Sequence, residues 1–430
     1  MTNTTLLNRR NHLFGKGSTL FYENPVQLVR GEGVSMYDES GHRYVDLYNN
    51  VPCVGHCHPH FVESVSRQIN TLNVHSRYLH QSILDYADRL INTHHESIES
   101  VIFSCTGTEA NEIALQMARM VTGGRGIVCT DATYHGNSVE VSRLTRPKNN
   151  LGEVRSIPFP DTYRTDTDDL KEHFLRELQS VIDSFREDGI PFAGMLVCPI
   201  LANEGLPNIP EGYMKAAVKL IHQAGGVFIA DEVQAGLCRT GLWWGYELMD
   251  FVPDIVTMGK PLGGGIPLAA TAASTEVTEM FRRHTRYFNT CASSPVQAAA
   301  GNAVLDVIEQ ENLHENVTTV GQFLHERFLQ IQAKHKSIGD VRGHGLFRGL
   351  EFVTDLKSKA PDKQSAVRAV NELKDRGFLT GNAGAYDNVL KVRPPLVFSK
   401  IDAEEFLGAL EPVSYTHLRA HETSLHLVCR

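Results

Sequence analysis

The chain has 430 residues, 41 basic and 50 acidic, for a net charge of −9, which speaks against nonspecific binding to nucleic acid or to an anionic membrane surface. Hydrophobic residues at 42% and charged residues at 21% are the composition of a folded soluble enzyme, not of a disordered chain. No apolar run approaches the length of a membrane span, Arg9-Arg10 leads into no apolar signal segment, and eight cysteines without even spacing predict reduced thiols. A soluble cytoplasmic enzyme of two or three domains, or of one large domain with attachments, is the expectation.

The stretch up to about Leu47 predicts a β-meander, with Asp38-Glu-Ser-Gly41 as the turn between Val34-Ser-Met-Tyr37 and Tyr44-Val-Asp-Leu47. From about His60 the pattern changes to alternating helices and strands. Helical spacing covers Phe61 to Leu72, Ser82 to Ile91 and Ala110 to Val121. Apolar strands are predicted at Val101–Ser104, Gly126–Thr130, Ala193–Cys198, Gly226–Ala230 and Asp254–Met258. Near-continuous apolar strands between helices predict an α/β fold with a mostly parallel sheet covered on both faces. Helices at about Gln297–Gln310 and Val320–Lys336, a strand–turn–strand from Gly339 to Glu351 and a helix from Ala403 to Leu410 form a smaller α+β unit. The last residues, from about 413 to 430, fit nothing before them and read as a foreign tail. Their three histidines lack the spacing of a metal site.

Polar residues at the ends of the predicted strands carry the strongest chemical signal, because ligands of open α/β sheets bind at the carboxyl ends of strands. One strand ends in Asp231-Glu-Val-Gln234, another in Gly259-Lys260. A carboxylate and a lysine would thus face one crevice; a buried structural ion pair is the plain alternative. Ser104-Cys-Thr-Gly-Thr-Glu-Ala-Asn111 joins a strand to a helix, and Gly107 and Thr108 at that helix start suit a phosphate. Tyr134, in Tyr134-His-Gly136, offers an aromatic face. Lysine, carboxylate, helix start and aromatic ring are together what a pyridoxal 5′-phosphate (PLP) site needs.

The segments Gly55-His-Cys-His-Pro59, Thr106-Gly-Thr-Glu-Ala-Asn111, Tyr134-His-Gly136, Ala230-Asp-Glu-Val-Gln234, Pro253 to Lys260, Phe288-Asn-Thr290 with Ser294-Pro295, and Val341 to Leu346 occur in one order. In that order they resemble the class III aminotransferases, PLP enzymes of fold type I, over about Val26 to Leu410. Asn49 to Pro59, Ser76-Arg-Tyr-Leu-His80 and Leu151 to Arg164 resemble most the branch holding alanine–glyoxylate-type aminotransferases and the phospholyases of phosphoethanolamine and phosphohydroxylysine. The resemblance implies a large PLP-binding domain over 61–300. It also implies a small domain built from residues 1–60 and 301–412, leaving 413–430 outside the family pattern. It makes Lys260 the Schiff-base and proton-transfer lysine and Asp231 the partner of the pyridinium. Gln234 would lie near the ring hydroxyl, with Val233 and Tyr134 on the two ring faces. Gly107 and Thr108 would hold the phosphate with Thr290 of a second subunit, so a homodimer, or a dimer of dimers, with shared sites is implied. Arg393 matches a position where many members bind a substrate carboxylate as a fork.

Two departures bear on the substrate. Where many members carry a loop glutamate this chain has Asn203, with Glu204 one residue off, and the strand-end glutamate of that loop is Cys198. The phospholyases of the branch often carry lysine at the position matched to Arg393, which favours a carboxylate-bearing donor or acceptor here.

The cluster Cys53, His56, Cys57, His58 and His60 invites a zinc reading, but adjacent residues cannot converge on one tetrahedral ion, so no metal site is expected. Gly259-Lys-Pro-Leu-Gly-Gly-Gly265 is not a P-loop, since its lysine precedes the glycines. The leading expectation is an aminotransferase passing an amino group from an amine or amino acid to a keto acid such as pyruvate or glyoxylate. A phospholyase is the alternative, with Arg77 and Asn50 as candidates to hold the substrate phosphate. A non-catalytic protein on a PLP fold comes third.

Overall fold

The computed structural model describes residues 3–147 and 152–426, and side chains over residues 5–147 and 152–413. Leu151, at the head of one quoted motif, lies outside the described residues. Seven strands form the largest sheet, in the order Ser100–Ser104, Ala269–Ala273, Ile255–Met258, Val227–Asp231, Phe192–Val197, Gly126–Thr130 and Val154–Ile157. Neighbours are parallel except for the two antiparallel pairings made by Ala269–Ala273. The mostly parallel sheet read from apolar runs is therefore present. Ile229, Ala230, Val256 and Met258 of its middle strands are essentially inaccessible to solvent, as burial on both faces requires.

Ala269–Ala273 was not foreseen as a strand. Four of its five residues are alanine, the strongest helix former by intrinsic propensity, and position in the sheet overrides that preference. Their small side chains let the helix Gly107–Thr122 lie close, and Thr271 Oγ1 donates to the Ala110 carbonyl at 2.8 Å. The helix Asn3–Phe14 was also unforeseen; none of its described residues is fully buried, so it shows no apolar stripe to read.

The meander is formed by Leu28–Glu32, Ser35–Asp38 and Arg43–Asp46, all antiparallel. A late segment joins it: Phe378–Leu379 runs parallel to Arg43–Asp46, with Phe378 opposite Val45. The strand–turn–strand expected over Gly339–Glu351 spans Ile338–His344 and Phe347–Phe352, antiparallel, with Val389–Val392 alongside. The helix expected over Ala403–Leu410 runs Lys400–His426, through Pro412 and past the boundary set at residue 413. From Ser414 onward the side chains lie outside the described set.

Candidate active site

The carboxyl ends of the parallel strands converge on one cavity. Its wall comprises Thr106, Gly107, Thr108, Tyr134, His135, Gly136, Cys198, Asn203, Asp231, Val233, Gln234 and Lys260. Seven residues singled out from sequence thus meet there: Gly107, Thr108, Tyr134, Asp231, Val233, Gln234 and Lys260.

Asp231 ends the strand Val227–Asp231 and is 5% exposed. Its Oδ2 receives His135 Nδ1 at 2.6 Å and Asn111 Nδ2 at 3.0 Å, and its Oδ1 receives the Val233 N–H at 3.0 Å. Burial alone would push this carboxyl toward the neutral form. The hydrogen bond and charge of His135, the charge of Lys260 and the Asn111 amide outweigh it, so the group is held below the usual carboxylate range. The support continues outward: Thr257 Oγ1 donates to Asn111 Oδ1 at 2.7 Å, and Thr133 Oγ1 sits 2.9 Å from His135 Nε2.

Lys260 follows the neighbouring strand Ile255–Met258 by two residues and opens a 3₁₀ turn, Lys260–Gly263. Its φ of +40° lies in the left-handed region, which costs a non-glycine residue on the order of 1 kcal/mol and is a feature of sites where the backbone is held by its surroundings. Burial lowers its pKa; Asp231 opposes that shift and Arg393 adds to it.

The helix Gly107–Thr122 points its first turn at the same cavity. A capping box, with Thr106 Oγ1 receiving the Glu109 N–H and Glu109 Oε2 receiving those of Cys105 and Thr106, fixes the helix start. Glycine is required at two places here. A Cβ on Gly107 would meet both Val233 methyls at 3.0 Å, and one on Gly136, at φ +144°, would meet Thr108 Oγ1 at 2.5 Å. Tyr134 is 41% exposed at the mouth and accepts Asn203 Nδ2 on its carbonyl at 3.0 Å. A charge-holding carboxylate, an amine, a helix N-terminus cradled by glycines and an exposed aromatic ring fit PLP.

The other sequence candidates stand elsewhere. Arg393 is 4% exposed, not a surface arginine, yet it lies behind the wall: Nε and Nη2 donate to the Tyr48 carbonyl at 3.0 and 2.9 Å, and Nη1 to Gln234 Oε1 at 2.5 Å. Asn50 is buried, its amide turned to the Val233 and Gln234 carbonyls at 3.5 and 3.3 Å and its Oδ1 to Arg239 Nε at 3.0 Å. Arg77 is exposed, its guanidinium 4.0 Å from the centre of the Phe288 ring, and Thr290 is exposed on that same loop. Neither lines the cavity of its own chain. Glu204 is buried and bonds Thr130, with its second oxygen unpartnered, so the loop amide of Asn203 meets the cavity in its place.

Sequence reading missed three residues. His135 and Asn111 stood inside quoted motifs; a buried asparagine among Ala110, Ile113 and Ala114 was the available signal. Lys391 gave none, being one basic residue beside another. It is 9% exposed, its Nζ lies 4.4 Å from the centre of the Tyr48 ring, and none of the ion pairs among the described residues includes it. Burial, then the charges of Arg393 and Lys260, hold its pKa well below the ordinary lysine value.

A family profile described as aminotransferase class-III matches residues 21–413. The chain is 38% identical to alanine–glyoxylate aminotransferase 2 homolog 2, mitochondrial, of Arabidopsis thaliana, over 94% of this chain and 86% of that one. It is 32% identical to ethanolamine-phosphate phospho-lyase homolog 1 of Caenorhabditis elegans, over 95% and 92%. Among solved structures, a phospholyase from Arthrobacter in complex with phosphoethanolamine superposes with a TM-score of 0.92 at 37% identity, over 95% of this chain and 99% of that one.

Proposed function

The chain belongs to the class III aminotransferase family, and from that premise we propose how its residues divide the work. The enzyme is a PLP-dependent aminotransferase that moves an amino group from an amine or amino acid to a keto acid. Bound in the cavity, the cofactor supplies an electron sink for the pair left at the substrate carbon when a proton departs.

Lys260 holds the cofactor and is the base that takes that proton and later returns it. A lysine with a lowered pKa presents more of its neutral, proton-accepting form. Asp231, kept anionic by His135 and Asn111, holds a proton on the cofactor's ring nitrogen. The N-terminal turn at Gly107 and Thr108 takes the phosphate, joined by Thr290 from a second subunit. Tyr134 and Val233 would hold the ring, and Gln234 would serve its hydroxyl. One observation carries this reading: Lys260, Asp231 and the helix start share one wall. The exposure of Thr290 away from its own cavity supports a homodimer with shared sites. The seven free cysteines among the described residues support a reducing compartment, and we place the enzyme in the cytoplasm.

Phospholyase activity is the second reading, and Lys391 is the observation that favours it. The donors of Arg393 already serve Tyr48 and Gln234, whereas Lys391 is a buried amine with no described anion. A substrate phosphate reaching past Tyr48 would favour its protonation and pair with it, and so would a carboxylate. An amino-donor panel including phosphoethanolamine, scored separately for keto product and for inorganic phosphate, tests both. Keto product from amino donors supports transamination, and phosphate release without it supports elimination. Neither product from any donor would overturn both.

A further inference from the structure

Two thiols flank the proposed phosphate cradle, and the chemistry above uses neither. Cys105, partly buried, precedes the capping residue Thr106; Cys291, exposed, follows Thr290. One side chain joins them. Asn289 Oδ1 accepts the N–H groups of Cys291 and Ala292 at 3.0 and 3.1 Å, and Cys105 Sγ lies 3.8 Å from the same oxygen. Gln297 Nε2, on the helix behind, is 3.8 Å from Cys105 Sγ. The two thiols are close enough to influence each other's ionisation, although burial and then Glu109 weigh more on Cys105, whose pKa is raised. Of the other free cysteines among the described residues, Cys53, Cys129, Cys198 and Cys238 are buried, and only Cys57 is exposed.

We propose that Cys105 and Cys291 are a redox-sensitive pair, whose disulfide ties the loop carrying Thr290 to the turn that starts the helix Gly107–Thr122 and so alters cofactor retention. The effect on the cofactor rests on the phosphate reading given above; formation of the disulfide does not. Cys291, the more exposed of the two thiols in the single chain, attacks first. Its thiolate displaces one thiolate from an organic disulfide such as glutathione disulfide, forming a mixed disulfide, and the departing thiolate takes up a proton. Cys105, deprotonated in turn, attacks the Cys291 sulfur and expels the second thiolate. Two protein thiols are oxidised to one disulfide and the small disulfide is reduced to two thiols, with both protons carried away on them.

The consequence follows from what Asn289 holds. Its Nδ2 donates to Glu109 Oε1 at 3.2 Å, and Glu109 is the carboxylate of the capping box. Bridging sulfurs come to about 2.05 Å of each other; in the bridged form the Asn289 carboxamide, now 3.8 Å from Cys105 Sγ, would give way. That removes a restraint on Glu109 and on the loop N–H groups of Cys291 and Ala292 together.

The test uses the holoenzyme exposed to glutathione disulfide, followed by peptide mapping without reductant and by spectroscopic measurement of retained cofactor after gel filtration. Expected are linked Cys105 and Cys291 peptides, lighter by two hydrogens, and a several-fold change in the cofactor dissociation constant. Dithiothreitol should reverse both. Cys291→Ser, fully active when reduced, should show neither, and Cys105→Ala should stop at a glutathione adduct on Cys291. Glutathione adducts without a link, a link to another cysteine or between two chains, or a link that leaves cofactor retention unchanged would each overturn the proposal. Reduced Thr290→Ala is measured beside them. Wild-type retention there strikes at the phosphate reading of that loop, while the mapped link still reports on the thiols.

Discussion

Asp231, which lines the cavity, and Lys391, which is not among its lining residues, are both buried, and their surroundings are finished to different degrees. Asp231 has three donors on its two oxygens and a further layer behind them, so its charge is fully accommodated by the protein alone. Lys391 has an aromatic face and two cationic neighbours, and no described anion. A buried charge is tolerated when paired and strained when not. On the proposed function the first end would be preorganised for a cofactor that is always the same, and the second would accept something that arrives with a negative charge.

Breaking the finished end gives the largest effects. Lys260→Ala should abolish turnover while the thermal transition and circular dichroism stay close to wild type, since the lost amine sits at a cavity wall rather than in packed core. Wild-type turnover in that variant would falsify the proposed role. Asp231→Asn keeps the shape and removes the charge; kcat should fall at least about a hundredfold, ~2.7 kcal/mol of barrier. A steady-state kcat near wild type would remove Asp231 from the proton-holding role.

At the unfinished end the expected signs differ. Lys391→Met should lower kcat/KM for anionic donors by about tenfold, ~1.4 kcal/mol, and leave uncharged amines nearly untouched. The same variant should raise the unfolding free energy of the ligand-free protein by on the order of 1 kcal/mol, because an unpaired buried charge is gone. Denaturant melts decide this, and a less stable variant would mean that the ammonium is satisfied after all.

The pH dependences run in the same direction but over different windows. The depressed native pKa of Asp231 contributes stability that is complete above the unfolded carboxylate value of about 3.9 and is lost as pH falls through the native value. For Lys391 the native pKa is also lowered, so the native state again binds fewer protons than the unfolded one. Its penalty therefore fades as pH rises from that lowered value toward about 10.4. Subtracting the stability profile of Lys391→Met from that of wild type should isolate this rise. A flat difference would refute the assignment. Arg393→Lys should show the smallest catalytic effect, with loss mainly in stability, as the fork to the Tyr48 carbonyl disappears.

What could be read from sequence follows this same contrast. Asp231 and Lys260 were legible because each ends an apolar strand, where a charge has no reason to be unless it faces a ligand. Gly107 and Thr108 were weak alone, since glycine and threonine open many helices by plain capping, and became legible only beside Lys260, Asp231 and Tyr134. Lys391 and Arg393 lie two residues apart around Val392, and sequence could not say which donors the fold already occupies. His135 and Asn111 act through Asp231, so their role depends on distances that spacing does not encode. Ala269–Ala273 escaped because its composition favours helix and only its neighbours make it a strand.

That alanine strand also sets a timetable. Ala269 pairs with Ser104 on one side and Ala270 with Met258 on the other, so the strand that precedes the phosphate turn is stitched to the strand that precedes Lys260 by chain made much later. Such long-range pairing is slow to form and leaves strand edges open meanwhile. On the ribosome, Ser100–Ser104 and the helix start at Gly107 would emerge well before the segment that fixes them beside Lys260. A nascent chain halted before Ala269 should therefore capture no cofactor, however complete its Lys260 and Asp231.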